Sequence, residues 1–353
     1  MLHSFVIGLG RAGSELHLRS LTRARAAAGE LFAAGPVVGC DSDPEARRTA
    51  THLRAVPSVP AAAEVLDPER TVAHVCTPPA ERAAVLTELA AHGFRRVIVE
   101  KPLATDPDEL AAVHQVVERH GLDVAVVTHW LDSELTARLT SLVRGARLGA
   151  LRAITVTQHK PRFTRSTTGC QHPTAFDVEV PHALGLVLRL AGPADLLDAE
   201  CTDMHSADAV LPRCGSARLS LQHHAGVRTD IVSDLTSPVQ QRRIALEFSR
   251  GSATGHFPIS ERDDHAQLVI DDQLVVDGQF AVGGRTAVDD RRQVFRDDAL
   301  TTFLTRAYRN FATDGGDHGT FGLHCDIVRL LAAAKRHCAG NPAPAEKIAH
   351  HAG

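Results

Sequence analysis

Lysine is scarce in this chain. Of 38 basic residues among 353, only Lys101, Lys160, Lys335 and Lys347 are lysines, so each is a candidate for a specific role. A strongly charged surface is also missing: the formal net charge is −4, which gives no electrostatic case for nucleic acid or an anionic membrane as a partner. No apolar run approaches the length that crosses a bilayer. The start, Met1-Leu-His-Ser-Phe-Val-Ile-Gly8, enters a strand without the basic stretch and small-residue cleavage site of an export signal. The seven cysteines (40, 76, 170, 201, 214, 325, 338) are odd in number and contain no C-x-x-C, so no disulfide framework is implied and reduced thiols in the cytoplasm are expected. The histidines show no metal spacing: there is no H-x-x-x-H with a nearby acid, and the adjacent pairs His223-His224 and His350-His351 cannot both face one ion from regular structure. No metal site is expected.

What the chain does contain is an ordinary globular composition, 44% hydrophobic and 23% charged, over a length that exceeds one typical core and favours two domains. The organising stretch is Val97-Ile-Val-Glu-Lys-Pro-Leu103. Three β-branched residues read as a buried parallel strand, and ligands of open α/β sheets bind beyond the carboxyl ends of such strands. Lys101 therefore falls at the lip of a crevice, with Pro102 restricting its backbone. The competing reading is a solvated strand-end lysine.

Upstream, Ser4 to Gly13 is a short apolar strand followed by G-x-G-x-x-G at Gly8, Gly10 and Gly13, with Arg11 and Ala12 between the last two. Such a turn lets the backbone approach a pyrophosphate and aims a helix N-terminus at it. A helix from Ser14 to about Phe32 and a strand from Pro36 to Asp41 follow. An acid at Asp41 can accept both ribose hydroxyls of adenosine and would repel a 2′-phosphate, which favours NAD over NADP. Asp41 also reads as a strand-end turn residue or as a cap of the helix starting near Pro44. Strand-helix alternation continues through Thr71–Cys76, Ala80–His92, Asp106–His120 and Asp123–Val127, giving a doubly wound parallel sheet over residues 1–128.

In this order and at these intervals, G-L-G-R-A-G, V-V-G-C-D, V-C-T-P-P and V-I-V-E-K-P-L resemble the Gfo/Idh/MocA oxidoreductases, named after glucose-fructose oxidoreductase and inositol dehydrogenase. The resemblance implies a Rossmann domain that binds NAD through Gly8, Gly10, Arg11, Ala12, Gly13, Asp41, Thr77, Pro78, Glu100 and Lys101. It also implies a Lys101-Pro102 bond that is often cis, a lysine that reaches cofactor and substrate hydroxyl, and a Thr77-Pro78 turn beside the nicotinamide. One departure is Arg82, where the family usually has a histidine.

Residues 129–353 read as a second, α+β domain with a large, mainly antiparallel sheet. Its strand candidates are Leu151–Gln158, Ala217–His223, Thr229–Asp234, Ile244–Phe248, Leu268–Ile270 and Leu274–Val276, and helices are expected over Ala299–Thr313 and Thr320–Cys338. In Phe176-Asp-Val-Glu-Val-Pro-His182, His182 falls at a helix start. The family places an acid four residues before this histidine; here that position is Val178, so Asp177 or Glu179 must stand in, and the pattern does not choose between them. His182 is expected as the base for a hydroxyl proton, Lys101 as its partner at the developing alkoxide, and Glu179 or Asp177 as the orienting acid. Lys160, Arg162 and Arg165, three cations within six residues and with His172 just beyond, are candidate binders of a phosphate, or else a solvated basic loop.

The expected function is an NAD-dependent dehydrogenase for a secondary alcohol of a sugar, nucleotide-linked sugar or cyclitol. A redox-neutral enzyme with retained NAD, or a non-enzymatic NAD-binding regulator, is the alternative the resemblance keeps open. The expected partners are a sugar-like small molecule and further copies of the chain, as a dimer or tetramer built through the second sheet.

Overall fold

A computed structural model of the chain describes residues 1–145, 147–168, 172–206, 209–259, 263–272, 274–276, 279–281, 291–313 and 318–340. Six strands form the first sheet: β1 (His3–Ile7), β2 (Val37–Cys40), β3 (Leu53–Val56), β4 (Thr71–Val75), β5 (Arg96–Val99) and β6 (Asp123–Val126). All pairings are parallel, in the order β3-β2-β1-β4-β5-β6. Successive side chains go to opposite faces, and both faces are covered. Phe5, Val97 and Val99 join one apolar cluster, whereas Val6 and Ile98 join another. That two-sided burial explains why these strands are almost continuously apolar.

Helices close the two faces: α1 (Leu18–Ala27), α2 (Pro44–Thr49), α3 (Val59–Ala63), α4 (Arg82–Ala91) and α5 (Pro107–His120). Asp106 caps α5 by accepting from the N–H groups of Asp108 and Glu109, and Gly121 ends it in the left-handed conformation at φ 58°. The first helix departs from expectation. The glycine turn opens into a wide π-helical turn over Ala12–His17, α1 stops at Ala27, and Ala28 (φ −142°, ψ 53°) breaks it before a short 3-10 turn at Gly29–Leu31.

After β6 the chain makes a 3-10 turn at His129–Asp132 and the helix α6 (Glu134–Arg144). A second sheet then follows, with strands β7 (Leu151–His159), β8 (Ala194–Cys201), β9 (Ser216–His223), β10 (Arg228–Asp234), β11 (Gln241–Phe248), β12 (Gly251–His256), β13 (His265–Asp272) and β14 (Arg292–Arg296). Their order is β14-β13-β12-β11-β7-β10-β9-β8, antiparallel throughout except for the β7–β10 pair. Between β7 and β8 lie the short helix α7 (Phe163–Thr167) and the helix α8 (Val180–Ala191), whose Leu184, Val187 and Leu190 pack in the core formed with Ile154, Val156, Leu219 and Ile231. Strands β3, β8, β12 and β14 go beyond the sequence reading. Acids in β8, glycines in β12 and charges in the edge strand β14 depress strand propensity, and pairing within the sheet overrides it.

Two last helices, α9 (Ala299–Ala312) and α10 (His318–Gly340), bring the chain back. Phe303, Leu304, Ala307, Tyr308 and Phe311 of α9 pack with Val6, Leu21 and Ile98 of the first half. The α10 helix serves both halves: Val328 joins the first core, and Ile327 and Leu331 join the second. Among the described residues no helix is long and apolar enough to cross a membrane.

Phe303 is fully buried at this return contact. Phe303→Ala is expected to cost about 3–5 kcal/mol, read from denaturant unfolding; a loss under about 1 kcal/mol would mean that α9 contributes little to the first core.

Candidate active site

The carboxyl ends of β1, β2, β4 and β5 bring the glycine turn, Asp41, Thr77 and Lys101 to one edge of the first sheet. Gly8 has φ +87°, and a Cβ there would lie 3.0 Å from the Cys76 carbonyl group, so the turn after β4 rests directly on the glycine turn. A Cβ on Gly13 would lie 2.0 Å from the Gly8 oxygen, which fixes the close approach of helix and strand. Gly10 faces open space: a Cβ there would meet nothing within 4 Å. Arg11, at the helix entry, pairs with Glu15 at 3.1 Å, and Ala12 begins the π turn.

Asp41 braces this cradle. Its Oδ2 accepts from the Leu9 N–H at 2.7 Å and its Oδ1 from the Asp43 N–H at 2.9 Å. The cap of the following helix is Asp43, which accepts from the Glu45 N–H. Thr77 Oγ1 is buried without a hydrogen-bond partner, next to the exposed Pro78. An open backbone cradle, a helix entry and an orphaned hydroxyl fit a dinucleotide along this edge.

The Lys101-Pro102 bond is cis. Lys101 is partly buried, and its Nζ donates to the Val178 carbonyl at 2.9 Å. The second half thus offers Lys101 a main-chain oxygen, at Val178. Burial pulls Lys101 below the usual lysine range; Glu179 and Glu100 oppose that pull, and Lys160 and Arg162 add to it. Glu100 accepts from His17 Nε2 at 3.0 Å and from the Lys101 N–H at 3.1 Å. Burial works against its charge, yet His17, Lys101 and His129 hold its carboxyl down at about 2.

His182 lies in the first turn of α8, with Pro181 before it. Its ring is edge-on to His129, with centroids 4.6 Å apart, and stacks on Trp130 at 5.6 Å. Burial first, then the Lys101 charge, push His182 well below its ordinary value, so the ring is neutral. Lys101 and His182 therefore share one environment.

The two candidate acids require a correction. Asp177 is fully buried, and its carboxylate is consumed by Thr174, in a capping box, and by Lys335 at 2.5 Å. Glu179 is paired with Lys160 at 2.7 Å and with Arg242 at 3.9 Å, which hold it at about 2 despite its burial. Neither carboxylate bonds the His182 ring. The reason is that each acid has a cation nearer than the imidazole.

Arg162 is buried at 8% exposure, whereas Arg165 is exposed. Burial and then the like charge of Arg11 lower Arg165, so cations of the two halves face each other. Burial, Lys101 and Arg162 push His172 down to about 3. His129, Trp130, Arg242 and His17 were not singled out by the sequence. His129 and Trp130 adjoin the end of β6, a position that marks a crevice residue in any doubly wound sheet; Arg242 and His17 carried no such signal. Among the described residues one group, Asp263, Asp264 and His265, gathers three ligand-type atoms, at an exposed strand start where His265 Nδ1 already bonds Asp263 at 2.9 Å.

The family model described as "oxidoreductase family, NAD-binding Rossmann fold" (GFO_IDH_MocA) matches residues 2–128. No curated protein matches the chain significantly. Among solved structures, the 3-ketoreductase KijD10 from Actinomadura kijaniata in complex with NADP and TDP-benzene is 13% identical, with a TM-score of 0.75 over 95% of this chain and 97% of that one. An oxidoreductase from Agrobacterium radiobacter in complex with NAD+, L-tartaric acid and magnesium is 13% identical, with a TM-score of 0.69 over 96% of each chain. At such identities the likeness shows the fold of both halves.

Proposed function

We propose that this chain, an NAD(P)-dependent oxidoreductase whose residues 2–128 match the NAD-binding Rossmann domain of the Gfo/Idh/MocA oxidoreductase family, interconverts a secondary alcohol and a ketone on an anionic, sugar-like substrate. The observation that carries this reading is that Lys101 of the first sheet donates to the Val178 carbonyl, four residues before His182, and that its charge helps keep the His182 ring neutral. When bound, NAD(P) supplies the hydride acceptor or donor. The protein's part is the proton. Neutral His182 accepts or returns the hydroxyl proton, and Lys101 relays that proton as well as stabilising the oxygen as charge develops on it.

Lys160 and Arg242 both pair with Glu179, and Arg165 adds a third cation beside them, with Arg11, Glu15 and Glu179 acting on it. A phosphate or carboxylate on the substrate suits this basic group. Both solved relatives hold anions, a TDP derivative and tartrate. The cations, spread over the loop after β7, the short helix α7 and strand β11, favour the larger of the two, a nucleotide-linked sugar. For the cofactor, the acid at Asp41 beside the glycine turn favours NAD.

Lys101→Ala is expected to lower turnover by at least about a hundredfold, the range of a lost proton-handling group, with NAD affinity within about threefold of the native protein by calorimetry. Equal loss of turnover and NAD affinity would contradict the assignment. In the native enzyme the rate of alcohol oxidation is expected to show no inflection near the ordinary histidine range, since His182 is already neutral there, and to rise with pH as Lys101 gives up its proton. For Asp41→Ser, the ratio of NADP to NAD affinity is expected to rise about tenfold or more, from a lost charged hydrogen bond and a lost repulsion; an unchanged ratio would remove Asp41 from cofactor choice.

A further inference from the structure

A row of buried polar groups runs from Glu100 away from the crevice and through the first sheet. Glu100 Oε1 meets His17 Nε2 at 3.0 Å, and His17 Nδ1 meets His74 Nδ1 at 2.8 Å. His74 Nε2 meets the Tyr308 hydroxyl at 2.9 Å, and that hydroxyl donates to Ser4 Oγ at 2.6 Å. His17, His74 and Tyr308 are fully buried and Ser4 is 2% exposed. The groups come from four places in the chain: the π turn before α1, β4, α9 and β1. Nothing in the proton chemistry above uses them beyond Glu100.

The protons of this row can be counted. Tyr308 has one hydroxyl proton and gives it to Ser4, so toward His74 it can only accept. His74 Nε2 therefore carries a proton. Burial and the neighbouring His17 charge keep His74 far below the ordinary histidine range, so its ring is neutral and its Nδ1 is an acceptor. His17 must then donate from Nδ1. A carboxylate only accepts, so His17 also donates from Nε2 to Glu100. Both nitrogens of His17 hold protons, and the ring is an imidazolium. The surroundings agree: burial opposes the charge, but Cys76 and Glu100 outweigh it and push His17 up to about 10.

We propose that His17 is a positioning residue carrying a fixed positive charge that cancels Glu100, so that Lys101 is free to release its proton. Two carboxylates act on the Lys101 ammonium, Glu179 and Glu100. Lys160 neutralises the first at 2.7 Å and His17 the second at 3.0 Å. The remaining groups facing Glu100 are Arg82 of α4, His129 after β6 and His324 of α10, and those facing His17 are His74 and Cys76. Both ring nitrogens of buried His324 and Nε and Nη1 of buried Arg82 have no hydrogen-bond partner, and the side-chain bonds of Glu100 go to His17 and to the Lys101 N–H. The row beyond His17 has its own task. By ending in a tyrosine that accepts from His74, it turns the His74 lone pair toward His17 and holds the second proton there.

This inference rests on the reading of Lys101 as a proton-handling group, but its test needs no substrate. The chain has only four lysines, so protein labelled with [ε-13C]lysine gives few signals, and Lys101→Arg assigns the one that matters. In the cofactor-free protein, His17→Gln keeps a donor for Glu100 but no charge, and it is expected to raise the Lys101 titration midpoint by about one pH unit. Tyr308→Phe removes the acceptor for His74, lets that ring turn its proton toward His17, and is expected to move Lys101 in the same direction. With 15N-labelled histidine, one ring of the native protein should remain doubly protonated well above the ordinary histidine range, and that signal should vanish in His17→Gln. An unmoved Lys101 midpoint in folded His17→Gln, or no such charged ring, overturns the proposal. A midpoint that moves in His17→Gln but not in Tyr308→Phe overturns the role of the row. Should Lys101→Ala keep full turnover while these shifts occur, the functional reading fails and the electrostatic one stands.

Discussion

Two carboxylates act on Lys101, and each would hold its proton in place if left unbalanced. Glu179 approaches from the second half and Glu100 from its own strand end. An ammonium with two free acids beside it has its pKa raised and cannot exchange a proton near neutrality. In this molecule both acids are already taken, one by Lys160 and one by His17. What remains for Lys101 is burial and the Val178 carbonyl, and burial favours the neutral amine. Much of the architecture around the crevice supports that balance.

The fold supplies each part from a different element. Parallel strands end at one edge, so Glu100 and Lys101 reach the crevice together. The wide turn after the glycines carries His17 beneath that edge, where a continuous α-helix beginning at Ser14 would set a different phase. The return of α9 to the first sheet delivers Tyr308 to His74. From the second half, β7 leads into Lys160 and α8 begins beside Glu179, so the Lys160–Glu179 pair joins two elements over the Lys101 ammonium. Asp177, two residues earlier, anchors the same segment to Lys335 of α10 and holds α8 in place.

The parts legible in the sequence were those set by local rules. Glycine spacing, the run of apolar residues before Lys101, the cap at Asp106 and the proline before His182 each act within a few residues, and they placed the glycine turn at a strand end, Lys101 at the end of its strand and His182 in the first turn of its helix. The doubly wound sheet and the mainly antiparallel second sheet followed from alternation. What could not be read was pairing at long range. Whether Asp177 or Glu179 serves His182 depends on where Lys335 and Lys160 lie, and the answer is that both acids are claimed by lysines. His17 looked like one more residue of a helix, because its partner His74 is 57 positions away and Tyr308 is 234 beyond that. Strands β8, β12 and β14 were hidden for the same reason: their residues are poor strand formers that fold as strands only against neighbours.

In the proposed reaction one amine and one imidazole, from opposite halves of the chain, act on a single substrate oxygen above the nicotinamide. The most direct measurement is a crystal structure of the enzyme with NAD and a nucleotide-linked sugar bound together. The account predicts that Lys101 Nζ and a ring nitrogen of His182 both lie within hydrogen-bond distance of the same hydroxyl or carbonyl oxygen. An oxygen reached by only one of them, with the other facing a separate space, would contradict it.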